Sequence, residues 1–286
     1  MRVKVNGIEL HAEVSGEGPP LLLLHGFTGS CRSWDRFIPA WSKFRRVIAV
    51  DLIGHGESDA PEDPGRYAME HAVEDLAALL DALGADSAEV LGYSMGGRVA
   101  LSMAVLRPDK VRALLLESSS PGLPTAAERE ERVLRDERLA GRIEREGLEW
   151  FVPYWESLPL FEGVKRLPPE AQQRIRSQRM RNRPHGLACS LRGMGTGKQP
   201  SWWDRLHELP MPVILVAGEE DGKFHSIAER MRMCIRRCTF IPVPEAGHLV
   251  HVEQASTFDT IVRNYMIAKG EEQEHASRTM GKNERI

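Results

Sequence analysis

The chain has 286 residues, 42% hydrophobic, 28% charged and 6% aromatic, with a net charge of −3. That length supports one large α/β domain or two small ones with a sizeable core, so no disulfide or metal staple is needed for stability. The near-neutral balance excludes the strongly basic field of a general nucleic-acid binder. The wholly apolar runs, such as Leu21–Leu24, fall far short of the about 20 residues that span a bilayer.

Met1–Gly7 is polar and strand-like rather than a charged start feeding an apolar segment, so no signal peptide is visible. Cys31, Cys189, Cys234 and Cys238 are too few in a chain of this length for a disulfide framework, and the expectation is a cytoplasmic protein with reduced thiols. Nothing in the composition specifies an oligomer.

Arg2–Val5 and Ile8–Val14 alternate apolar and polar residues around Asn6-Gly7, a favoured two-residue turn, and predict a hairpin. Short apolar runs follow at Pro20–Leu24, Val47–Val50, Ala88–Leu91, Val111–Leu116, Val213–Ala217 and Thr239–Val243. Such runs suit strands buried on both faces of a parallel sheet. Met69–Leu83, Gly97–Arg107 and Gln254–Ala268 carry apolar residues at helical spacing, and the alternation predicts an α/β domain with a mostly parallel sheet.

From about Thr125 to His207 that rhythm stops and the sequence becomes charged and helical, which predicts a helical cap over the end of the sheet. The expected division is a core of residues 1–120 and 208–268, a cap of 121–207 and a disordered polar tail of 269–286. Within the cap, Ala171–Lys198 holds Arg174, Arg176, Arg179, Arg181, Arg183, Arg192 and Lys198 with no acid, a charge of +7 over 28 residues. One-sided charge beside mixed sequence points to a wall facing an anionic small molecule, because arginine suits bidentate carboxylate contacts.

Gly92-Tyr93-Ser94-Met95-Gly96 sits between an apolar run and a helical stretch, the context in which G-x-S-x-G forms a nucleophile elbow. A serine there needs a base and an orienting carboxylate. Gly218-Glu219-Glu220-Asp221-Gly222 follows one predicted strand and Ala246-Gly247-His248 follows the last. The order Ser94, Asp221, His248 is that of α/β-hydrolases, with His248 as base and Asp221 holding its tautomer. Glu219 and Glu220 compete for the acid role; Asp221 is preferred for its position deeper in the loop. The backbone N–H groups of Phe27 and Met95 are the expected oxyanion donors, while His25 and His55 read as structural. Arg192–Gln199 imitates a phosphate loop but lacks its required first Gly and closing Ser or Thr. Cys234 and Cys238, four residues apart, are expected as packed thiols on one helix.

The chain resembles the α/β-hydrolases over about residues 1–268, with a mostly parallel eight-stranded sheet. More narrowly it is similar to the 2-succinyl-6-hydroxy-2,4-cyclohexadiene-1-carboxylate synthases, lyases of menaquinone biosynthesis. The likeness is carried by His25–Ser30, Gly92–Arg98, Ser120–Leu123, Arg132 with Asp136, Trp155 before Pro159-Leu160-Phe161, Arg181, Gly193–Pro200 and Gly218–Phe224. It implies a substrate with several carboxylates bound by Arg98, Arg132 and Arg181, in a pocket lined by Tyr93 and Trp155. It also implies a triad that removes a ring proton so that pyruvate leaves, with no metal or organic cofactor. Two residues carry competing structural readings: Arg98 as partner of an acid, Trp155 as cap core. A serine hydrolase of a small carboxylated ester, thioester or C–C bond is the alternative function.

Overall fold

The computed structural model describes residues 1–265; the predicted tail of 269–286 and the end of the predicted last helix lie outside them. Eight strands form one sheet: β1 (Arg2–Val5), β2 (Ile8–Ser15), β3 (Pro20–Leu24), β4 (Arg46–Val50), β5 (Ala88–Tyr93), β6 (Val111–Glu117), β7 (Val213–Gly218) and β8 (Cys238–Val243). Their spatial order is β1-β2-β4-β3-β5-β6-β7-β8. β1 and β2 pair antiparallel, as does β2 with β4, and every later pairing is parallel.

The apolar runs form central strands because each is covered on both faces. All six residues of β5 are buried, including Glu89, which Arg45 neutralises at 2.9 Å. The edge strand β8 is only partly buried along most of its length.

Helices α1 (Ile38–Trp41), α2 (Met69–Ala82), α3 (Met95–Leu106), α7 (Gly222–Cys234) and α8 (Val250–Glu253) connect the strands. Between β6 and β7 the chain makes α4 (Ala126–Ser157), α5 (Pro169–Arg179), α6 (Pro184–Met194) and 3-10 turns, and no strand. A capping box of Thr125 and Glu128 starts α4, and Gly147, at φ 73°, breaks it. Ile143, Phe151, Val152, Leu187 and Leu191 close a small apolar core between α4 and α6, into which Phe27 of the main domain packs. Cap and core are stitched by Asn182 Nδ2 donating to Thr28 O at 2.8 Å and Gln178 Nε2 donating to Ser33 Oγ at 2.8 Å.

One expectation fails here. Cys234 is the last residue of α7 and Cys238 the first of β8, because Ile235 takes extended backbone (φ −96°, ψ 125°) and ends the helix. Cys234 is exposed and the two thiols do not share a helix.

Candidate active site

In a mostly parallel sheet the carboxyl ends of the strands share one edge, where ligands bind. Ser94 follows β5, Asp221 follows β7 and His248 lies five residues after β8, so residues distant in sequence meet there.

Ser94 is held at φ 50°, ψ −106°, a left-handed conformation that a non-glycine residue adopts only when its surroundings enforce it. The enforcement is visible in the flanking glycines. A Cβ at Gly92 would lie 2.4 Å from Gly96 O, and one at Gly96 would lie 2.2 Å from Leu24 O. Any side chain at either position pushes the elbow off the sheet. Helix α3 begins directly after Ser94, two residues earlier than the apolar periodicity indicates, because the first turn is Met95-Gly96-Gly97.

His248 is 2% exposed, with Nε2 3.0 Å from Ser94 Oγ and Nδ1 2.6 Å from Asp221 Oδ2. A carboxylate only accepts, so Nδ1 carries the proton and Nε2 is left free to take one from Ser94. Asp221 caps α7, its Oδ1 accepting from Phe224 N at 3.2 Å. Of the three candidate acids it is the one that reaches His248: Glu219 and Glu220 are exposed, and Glu220 pairs with Arg166 of the cap.

The His248 loop has a support that the sequence reading missed. Glu253 Oε2 accepts from Gly247 N at 2.7 Å and Oε1 from Leu249 N at 3.1 Å, one bond on each side of His248. A carboxylate five residues after a catalytic-type histidine, at the end of the short α8, is the signal that could have found it.

The N–H groups of Phe27 and Met95 donate to no protein group among the described residues. Phe27 lies in the loop after β3, and Met95 follows Ser94 directly at the first position of α3. The loop is braced by His25, whose Nε2 accepts from Leu52 N at 3.0 Å while Nδ1 donates to Gly26 O at 2.8 Å. Burial lowers the pKa of His25 and takes His55 to about 3, so both rings are neutral struts rather than proton carriers near neutral pH.

Arg98 is buried and hydrogen-bonds to no acid: Nη1 donates to Met194 O at 2.7 Å and to Gln199 Oε1 at 2.9 Å. Desolvation first, and nearby Arg132 second, pull its pKa down to about 10. Arg132 is one-third exposed and pairs with Asp136 at 2.7 Å. Lys223, two residues after Asp221, feels Arg132 as well, and burial with that cation lowers its pKa. These three cations form one pole near the triad. Trp155 packs on Phe27, Phe151 and Phe161, and its buried Nε1 has no hydrogen-bond partner among the described residues.

Tyr93 is buried between His248 and His251, at ring distances of 5.4 and 4.7 Å, and burial, then Glu117, keeps its phenol protonated. Arg181 is exposed and makes no side-chain hydrogen bond or ion pair among the described residues. The arginine that reaches inward is Arg179, 5% exposed and 4.6 Å from the Phe161 ring. The reason is helical phase: α5 ends at Arg179, which shares the inward face with Ile175 four residues earlier, whereas Arg181 lies past the helix.

For metals, His11, Cys31 and Asp51 are the one trio among the described residues whose ligand atoms lie within 4.8 Å of one another. Asp51 is already engaged by Cys31 N at 2.6 Å, Glu57 N at 2.8 Å and His11 Nδ1 at 3.1 Å, a structural knot rather than an open site.

Residues 19–255 match the α/β-hydrolase-fold family. A protein of Bacillus subtilis (strain 168), provisionally named 2-succinyl-6-hydroxy-2,4-cyclohexadiene-1-carboxylate synthase, is 47% identical over 88% of this chain and 93% of its own length. A synthase of the same name from Salmonella paratyphi C is 32% identical over 89% of this chain and 98% of that one. The solved structure of MenH from S. aureus superposes with a TM-score of 0.87 at 36% identity, covering 91% of this chain and 98% of that one. A malate-bound thermophilic esterase from Thermogutta terrifontis gives 0.81 at 30% identity, covering 94% and 98%. The chain belongs to the α/β-hydrolase family and, within it, to the 2-succinyl-6-hydroxy-2,4-cyclohexadiene-1-carboxylate synthases.

Proposed function

We propose that the chain eliminates pyruvate from 2-succinyl-5-enolpyruvyl-6-hydroxy-3-cyclohexene-1-carboxylate, giving 2-succinyl-6-hydroxy-2,4-cyclohexadiene-1-carboxylate in menaquinone biosynthesis, with Ser94, His248 and Asp221 acting together as a base. The observation that carries this reading is Arg98. A guanidinium buried four residues from Ser94, hydrogen-bonded to neutral acceptors and sharing its nearby acid, Asp136, with Arg132, costs stability unless an anionic ligand repays it. A neutral ester gains nothing from it.

The chemistry follows from the substrate's own bonds. The ring C2–H lies next to the succinyl ketone and the ring alkene, which makes it the acidic position. The Ser94 hydroxyl, polarised by His248, takes that proton and passes its own to Nε2. The C–H electrons become the C2–C3 double bond, the alkene moves to C4–C5, and the C5–O bond breaks to release enolpyruvate. The proton on His248 then returns to that fragment, which becomes pyruvate, and the triad is restored. Negative charge on the ketone oxygen during this sequence is met by the N–H groups of Phe27 and Met95. Arg98, Arg132 and Trp155 hold the carboxylated ring against Ser94, and the ionised Asp221 stabilises the imidazolium. No acyl-enzyme forms.

The test is to supply the enolpyruvyl precursor and follow pyruvate with a coupled dehydrogenase. Rapid release that is lost in Ser94→Ala is the expected result. Fast turnover of aryl esters with no pyruvate from the precursor would instead assign a serine hydrolase.

A further inference from the structure

A cavity of about 660 Å³ lies beneath α5, and neither Ser94 nor His248 lines it. Tyr93 and Phe161 form its wall toward the triad, since both rings line the cavity and both pack on His248. Its charge is one-sided: Arg32, Arg36, Arg174, Arg179 and Arg181 line it against a single acid, Asp35. The four arginines other than Arg179 make no side-chain hydrogen bond or ion pair among the described residues.

Arg179 is the telling residue. It is 5% exposed, and the carboxylate it pairs with, Glu156 Oε1 at 3.3 Å, also serves Arg176, which donates to Oε2 at 2.8 Å. One carboxylate between two guanidinium groups leaves one positive charge in excess at this wall of the cavity. Burial lowers the Arg179 pKa in the same sense, without neutralising it.

The cations near the site therefore fall into two groups. Arg98, Arg132 and Lys223 belong to the first, beside Asp221. Arg179 and the exposed arginines belong to the second. Only one fragment of the substrate has to part from the ring, and it is itself a carboxylate.

We propose that the arginine-lined cavity receives the expelled small carboxylate, pyruvate, with Arg179 as its buried anchor. This rests on the lyase reading above. The division of labour explains why the positive charge is split: one pole retains the ring, the other draws off the leaving fragment. The exposed arginines lower the cost of bringing a second anion to the cavity and guide it out to solvent. A volume of about 660 Å³ is large enough for pyruvate with a shell of water.

The test is calorimetric titration of sodium pyruvate into the intact protein at low and high salt. The expected result is saturable binding at about 1–10 mM, weakened by salt and unchanged in Ser94→Ala. Arg179→Gln weakens it at least tenfold. Because Arg179 is buried, the exposed pair Arg36→Gln with Arg174→Gln is the folding-safe companion, expected to weaken binding a few-fold and flatten the salt dependence. Absence of saturation overturns the proposal. So does binding that survives Arg179→Gln but is lost in Ser94→Ala, and so does displacement by inorganic phosphate at equal concentration. Binding is read without turnover: a protein that releases pyruvate from the precursor but does not bind it at Arg179 sinks this inference alone. A protein that releases none sinks the lyase reading.

Discussion

Glu253→Gln removes the charge that pins the histidine loop and keeps the side-chain shape. In the native protein the Glu253 carboxylate is 3% exposed and accepts two backbone N–H groups, from Gly247 and Leu249. Hydrogen bonds to a charged acceptor are worth roughly 1.5–3 kcal/mol each. The amide keeps one as a neutral bond of about 1 kcal/mol and turns its NH₂ group toward the other N–H, where donor faces donor. Between about 2 and 4 kcal/mol of loop ordering is at stake. If that is expressed at His248, kcat falls by about 30- to 1000-fold at 1.36 kcal/mol per decade. The assay is pyruvate release across pH with a parallel thermal melt. Glu253→Asp, too short to reach both donors, is expected to fall between. A variant with kcat within threefold of wild type refutes the reasoning and leaves Glu253 as packing against Gly163.

Four further outcomes are expected. Ser94→Ala and His248→Ala lose nearly all pyruvate release in the coupled assay while keeping wild-type circular dichroism. Asp221→Asn falls by about 10⁴-fold in kcat, because an amide facing Nδ1 stabilises the tautomer with Nε2 protonated, which cannot accept from Ser94. Arg166→Ala, at an exposed cap residue paired with Glu220, costs under about 1 kcal/mol in a denaturant titration. The pH dependence of stability has a defined sign at His55. Its folded pKa of about 3 lies below the unfolded value of about 6.5, so the unfolded chain binds the extra proton and stability falls as pH drops below about 6.5. Between pH 6.5 and pH 5 that group alone costs about 2 kcal/mol, with His25 adding in the same direction, and His55→Phe removes about one proton from the slope measured by urea titration at the two pH values.

The sheet was legible because its strands are buried on both faces, so apolar runs and turn residues marked them without knowledge of their partners. The elbow was legible because its glycines are dictated by contacts of 2.2 to 2.4 Å that no other residue allows. Arg98 and Trp155 could be named, but not what they meet: local sequence does not show that Met194 and Gln199, about a hundred residues later, bring neutral acceptors rather than an acid. Arg179 was not singled out because a run of arginines hides helical phase, and only the end of α5 shows that it, rather than the exposed Arg181, is the buried one. Glu253 escaped notice because its role is to hold backbone N–H groups, which leave no imprint on residue choice at Gly247 or Leu249. Cys238 was misplaced because nothing apolar or polar in Ile235–Arg237 announces the change from helix to strand.

The whole helical canopy is inserted at one seam. β6 and β7 are parallel neighbours, and the excursion between them closes where Trp202 N donates to Pro121 O at 2.8 Å, so the cap leaves and rejoins the core at one point. Ser94, Asp221 and His248 all lie outside that excursion, and so do the N–H groups of Phe27 and Met95. A segment whose ends meet at so narrow a gap can be exchanged as a unit, provided it restores what Phe161 supplies by packing on His248. Chemistry and selectivity are thereby inherited as separable modules, and grafting a roof from an esterase relative onto this base would exchange the accepted ligand while sparing the reactive centre.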